Sequence, residues 1–136
     1  MAAGDILKEQ LLVIEEFTVK TNEDIEKGEI VYNDGNGILA ATNTAKGPFI
    51  VALEAHTYAS STTHKVRCGV SGCFEVQKVS GSGGGKKGQF VEVSGTAGEV
   101  ALFDYTTPGN WYDVVGEFQE DAADADTTAK VWLGKR

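Results

Sequence analysis

The chain has few of the residues that most often carry chemistry. Its 136 residues include two cysteines, two histidines, two prolines and one methionine. Cys68 and Cys73 form a Cys-x4-Cys spacing that, with His56 and His64, matches no standard zinc pattern, so no metal site is expected. A disulfide across a Gly69–Gly72 turn is geometrically possible but uncommon in a cytosolic product, and two small strand residues are the expected reading. No apolar run approaches the ~18 residues of a membrane span, so no membrane partner is expected. Basic residues are also scarce: 12 Lys and Arg against 20 Asp and Glu leave a formal net charge of −8. That sign repels phosphate backbones, so no nucleic acid partner is expected, and it favours solubility at high concentration before assembly. The start, Met1-Ala2-Ala3-Gly4-Asp5, lacks the basic and apolar segments of a secretory signal, which predicts a chain that is cytosolic when made.

What the chain does have is glycine and internal echo. Seventeen glycines beside 41% hydrophobic residues point to a folded chain with many turns, of a size for one domain. Lys27-Gly28-Glu29-Ile30-Val31 returns as Lys87-Gly88-Gln89-Phe90-Val91. Gly37-Ile38-Leu39-Ala40 answers Gly98-Glu99-Val100-Ala101, and Val51-Ala52-Leu53-Glu54 answers Val115-Gly116-Glu117. Lys65-Val66-Arg67-Cys68-Gly69 answers Lys130-Val131-Trp132-Leu133-Gly134. Two units, 27–69 and 87–134, fall short of a solenoid and are expected to close on each other. A repeat without a repeated Cys, His or Asp cluster is an architectural signal.

Alternation and turn residues predict strands at Glu15–Lys20, Glu29–Tyr32, Ile38–Ala41, Phe49–Ala55, Gln89–Val93, Glu99–Phe103, Tyr112–Glu117 and Ala129–Leu133. His64–Val70 and Cys73–Val79 read as another extended pair. Asn33-Asp34-Gly35-Asn36-Gly37 is the strongest hairpin turn, because its residue types tolerate positive φ. Residues 80–86 read as a flexible linker between the units, and Phe118–Asp126 has the composition for one helical turn. The expected fold is all-β: a small single-domain β-barrel or β-sandwich, 18–136, with an N-terminal arm, 1–17, and at most one or two helical turns. The arm carries Ile6, Leu7, Leu11, Leu12, Ile14 and Phe17. An apolar arm is a liability in a free monomer, so these six are the candidate protein-contact residues.

The catalytic readings are weak. Gly83-Gly84-Gly85-Lys86-Lys87-Gly88 fits GxGxxG, but the following Gln89-Phe90-Val91-Glu92-Val93 reads as strand where a dinucleotide site needs a helix N-terminus. Ser60 and Ser61 lie near His64 without a nucleophile elbow, and both histidines are expected to be solvated loop residues. Asp121, Asp124 and Asp126 lack the EF-hand order and read as an acidic solvated turn. No catalytic residue and no cofactor are expected. Tyr105, Trp111 and Tyr112 could form an exposed aromatic platform, which leaves a carbohydrate- or receptor-binding module as the alternative to a structural role.

The pattern Lys27-Gly28-Glu29-Ile30-Val31, an Asn-Gly turn and Ile38-Leu39-Ala40 resembles small tailed-phage and prophage head proteins. These are known as capsid-decoration or capsid-fibre proteins and are often mislabelled as recombinase-like. The resemblance continues through Gly69-Val70-Ser71-Gly72-Cys73-Phe74-Glu75-Val76-Gln77-Lys78 and Lys87-Gly88-Gln89-Phe90-Val91. It ends on Val115-Gly116, Asp126 and Val131-Trp132-Leu133-Gly134, so it spans Thr18 to Gly134. It implies a β-rich homotrimer bound to the outside of a major capsid protein shell, in the virion and in the host cytoplasm during assembly, with no active site.

Overall fold

The computed structural model describes residues 12–106 and 110–134. It is all-β. The strands are β1 (Val13–Thr18), β2 (Ile30–Asn33), β3 (Ile38–Ala40), β4 (Ile50–Ala52), β5 (Lys65–Gln77), β6 (Phe90–Val93), β7 (Val100–Leu102), β8 (Val114–Phe118) and β9 (Thr128–Leu133). They form one antiparallel sheet in the order β3-β2-β4-β5-β9-β8-β6-β7, with β1 alongside β5. Two short 3-10 turns, Tyr58–Ser60 and Asn110–Asp113, are the helical content of the described residues.

The expected hairpin between His64–Val70 and Cys73–Val79 is absent, because both segments belong to the single strand β5. Its first half pairs with β1 and β4, and its second half pairs with β9. Gly72 explains the misreading. It takes φ +137 inside the strand, a conformation that glycine adopts without a Cβ penalty, and lets β5 swing from one half of the sheet into the other rather than turn back. Cys68 and Cys73 therefore lie five residues apart on one strand. With Cα atoms about 16 Å apart in extended chain, they cannot be bridged.

The duplication is deeper than the sequence echo. The first unit is β1, β2, β3, β4 and the first half of β5; the second is the second half of β5, β6, β7, β8 and β9. The ladders correspond pair for pair: β2 with β3 and β4 as β6 with β7 and β8, and β4 with β5 as β8 with β9. Each unit closes with a parallel bridge after its first strand, Val19 to Ile38 and Lys78 to Val100. Each also ties its first loop to its fourth by an antiparallel bridge, Ile25 to His56 and Gly85 to Ala122.

Three expectations change on this ground. Val13–Thr18 is no unrepeated arm: it is the first strand of unit one, the counterpart of the Gly72–Gln77 half of β5. The glycine-rich 80–86 segment is no loose linker, since it corresponds to the β1–β2 connection and is held by ordered hydrogen bonds. The later echoes were also misaligned. Equivalent hydrogen bonds, Leu53 N to Arg67 O and Gln119 N to Lys130 O, match Arg67 with Lys130 and Cys68 with Val131. Only the Lys27–Val31 echo is in true register.

Phe118–Asp126 forms no helical turn. Asp126 N bonds to Ala123 O and its carboxylate takes the Ala123 amide, closing a tight turn instead. The Asn33–Gly37 turn is as expected, with Asn33 Oδ1 accepting the Gly35 and Gly37 amides.

The two units share a core. Ile30, Phe49 and Val51 of the first pack in one buried cluster with Val76, Val91, Val115, Phe118 and Leu133 of the second. A smaller cluster within unit one holds Val19, Ile25, Ile38, Val66 and Cys68. Backbone bonds cross between the units at Ile30 N to Gly98 O, Gly98 N to Ala41 O and Gln77 N to Gly28 O. The fold is one small domain.

Candidate functional site

Of the six candidate contact residues, Ile6, Leu7 and Leu11 lie outside the described residues. Leu12 is 60% exposed and Ile14 43% exposed, against a buried core elsewhere. Phe17 is half-buried, opposite Val66, and packs on the smaller core cluster, which makes it a structural residue. Among the described residues β1 ladders only with β5, so its outer edge is open and carries Ile14 with the charged Glu15 and Glu16. Charges of this kind restrain edge-to-edge aggregation while leaving an edge that a specific partner can use.

A second exposed surface is aromatic. Trp111 is 66% exposed, Tyr112 60% and Tyr105 55%. Trp111 stacks on Phe103 with ring centroids 5.6 Å apart and meets Phe90 edge-on. The Tyr105 hydroxyl accepts the Phe90 amide at 2.8 Å. Trp111 and Tyr112 line a groove of about 620 Å³ with Lys46, Pro48, Phe49 and Ile50. The Lys46 ammonium stands 4.5 Å above the Tyr112 ring, a cation–π contact across it. The expected strand from Tyr112 begins only at Val114, because the 3-10 turn at Asn110–Asp113 lifts both aromatics off the ladder.

The groups weighed for catalysis are committed elsewhere. The glycine-loop amides that a phosphate would need are already bonded. Gly81 N donates to Asp124 O, Gly83 N to Asp124 Oδ1, Gly85 N to Ala122 O, Lys86 N to Gln89 Oε1 and Lys87 N to Asp121 Oδ1. The same bonds occupy the carboxylates of Asp121 and Asp124. Ser60 and Ser61 hydroxyls both donate to Thr57 O. Burial pushes the Cys68 thiol up to about 12, away from the reactive thiolate, and raises Cys73 in the same direction. Among the described residues no group of three or more His, Cys, Asp or Glu is placed to hold a metal ion.

The histidines differ from expectation. His56 is buried rather than solvated, with Nε2 3.0 Å from His64 Nδ1. The Tyr58 ring stacks on His64 at 3.7 Å between centroids. Lys78 was overlooked altogether. It is fully buried, and its Nζ donates to the carbonyls of Val79, Asp124 and Asp126. The period-2 alternation of the expected strand puts Lys78 on the same face as the buried Val76, a signal that its charged residue type masks.

No family model matches the chain, and no curated protein matches it either.

Proposed function

We propose that the protein is an auxiliary structural protein that binds the outer surface of a phage-type capsid and stabilises the mature shell. The observation that carries this reading is the pair of exposed aliphatic side chains, Leu12 just before and Ile14 within the open-edged strand β1, on an otherwise well-packed two-unit body. Burying such a side chain contributes about 1.5–3 kcal/mol. A protein that binds only the mature lattice stabilises it by RT ln(1 + [L]/Kd) per site. A homotrimer, which the resemblance to phage decoration proteins implies, multiplies that through avidity. The shared core makes the two units one body, and the surplus of acidic charge favours solubility before binding.

The test is co-sedimentation with purified expanded shells. Changing Leu12 and Ile14 together to Ser should lower shell affinity by at least about tenfold while leaving the fold intact. Equal binding of the variant and the original would remove this edge from the contact.

A second reading is favoured by the groove beside Trp111 and Tyr112. Exposed aromatic faces flanking a shallow groove suit the apolar face of a sugar ring, as in a carbohydrate-binding module of a virion. Binding on a glycan array that disappears in Trp111→Ala would select this reading, and an array without binding would dismiss it.

A further inference from the structure

The two units use different chemistry to fasten equivalent loops. In unit one the β4–β5 loop is tied to the β1–β2 connection by reciprocal backbone bonds between Ile25 and His56, at 2.9 and 2.8 Å. His64 completes the fastening: its carbonyl takes the Val19 amide, and its ring bonds that of His56. Tyr58 lies against both rings, and its amide donates to Asp24 Oδ1 at 2.8 Å. In unit two Ala122 stands at the place of His56 and bonds reciprocally with Gly85. Lys78, at the place of Val19, supplies the side-chain fastening through its three backbone carbonyls.

We propose that the His56–His64 pair is an acid-sensitive latch, which releases the unit-one loop on acidification while the Lys78-fastened loop of unit two stays shut. A hydrogen bond between two imidazole nitrogens needs a proton on one and a lone pair on the other. One added proton leaves that arrangement possible. A second removes the acceptor and sets two cations with nitrogens 3.0 Å apart. Histidine is the side chain whose charge ordinarily changes between about pH 5 and 8. The unit-two fastening is made to backbone carbonyls, which do not titrate.

The charged groups near the latch are few. Asp24, on the β1–β2 connection, holds the Tyr58 amide; Glu54 pairs with Arg67, and Lys65 pairs with Glu16. Among the described residues none of these hydrogen-bonds either imidazole. Opening would uncover Ile25 and Val19, now 2% and 3% exposed, and so change the apolar surface of unit one alone. The inference holds whatever the protein binds.

Amide hydrogen exchange on the whole chain, corrected for intrinsic rates, provides the test. Between about pH 7.5 and pH 5 the Ile25 and His56 amides should lose at least about tenfold protection, while Gly85 and Ala122 keep theirs. In His64→Phe, which retains an aromatic ring for Tyr58 to stack on, protection at Ile25 should no longer depend on pH. Should that variant fail to fold, imidazole NMR of the original chain decides instead: protonation of the second of the two rings should run in step with loss of protection at the Ile25 amide. Retained protection at Ile25 at about pH 5, equal loss in both units, or protonation of both rings without loop opening would overturn the proposal.

Discussion

At the residue scale the duplication supplies internal comparisons. Glu29 is buried, and its Oε1 accepts the Glu26 amide at 2.7 Å; Gln89 makes the same bond to the Lys86 amide at 2.8 Å. Unit two thus builds the cap with a neutral group. Burial raises the Glu29 carboxyl above its ordinary range, and the neighbouring Glu26 and Glu99 charges add to that. A raised folded-state pKa means that the folded protein holds this proton more tightly than the unfolded chain. The charged form therefore opposes folding above the raised value, and the effect vanishes below the ordinary carboxylate range. Glu29→Gln should keep the cap and raise the melting temperature at neutral pH, with the gain fading toward about pH 4. A melting temperature lowered at neutral pH but unchanged near about pH 4 would show that the carboxylate itself is needed.

At the element scale the structure explains why only one echo was plain. Lys27–Val31 and Lys87–Val91 share the same turn, the same side-chain cap and the same strand entry, so similar residues stand at each position. The flanking elements exchange volume instead. Unit one fills its loop contact with Ile25 beside a small Ala52, whereas unit two uses Gly85 beside Phe118. A Cβ on Gly85 would come within 2.1 Å of the Phe118 ring. Such complementary swaps preserve packing while erasing likeness in the sequence, and they made the Gly85 loop read as a linker. Phe118→Ala alone should cost about 3–5 kcal/mol, and adding Gly85→Ile should restore part of the loss by recreating the unit-one pairing. Strictly additive losses in urea denaturation would contradict the equivalence of the two loops. The strand β5 was hidden by a related ambiguity, because glycines at positions 69 and 72 signal a turn in sequence. In the structure they admit Phe74, whose ring lies where a Gly69 Cβ would be, and a swing at Gly72. The all-β class and most strand positions were legible because alternation and Asn-Gly turns act locally, whereas the latches at His56 and Lys78 depend on which loops meet.

At the scale of the whole molecule the protein is two β units around a shared core, and among the described residues the exposed large apolar side chains are Leu12 and Ile14 at the start of β1 and Tyr105, Trp111 and Tyr112 at or near the groove. The apolar pattern of the N-terminal segment was legible. A strand over Glu15–Lys20 was legible and is observed as β1, but that it ladders with β5 as the counterpart of Gly72–Gln77 was not, because a strand and a docking arm present the same alternation. Removing residues 1–17 would therefore take away a strand of unit one, and side-chain changes at Leu12 and Ile14 are the sounder probe of the contact. The most direct measurement is the resistance of purified expanded shells to heat or chaotrope, with and without saturating protein. The account predicts that bound protein shifts shell disruption to higher temperature or chaotrope concentration, and that the Leu12 and Ile14 double variant shifts it less. Shells disrupted at the same point with and without the protein would contradict it.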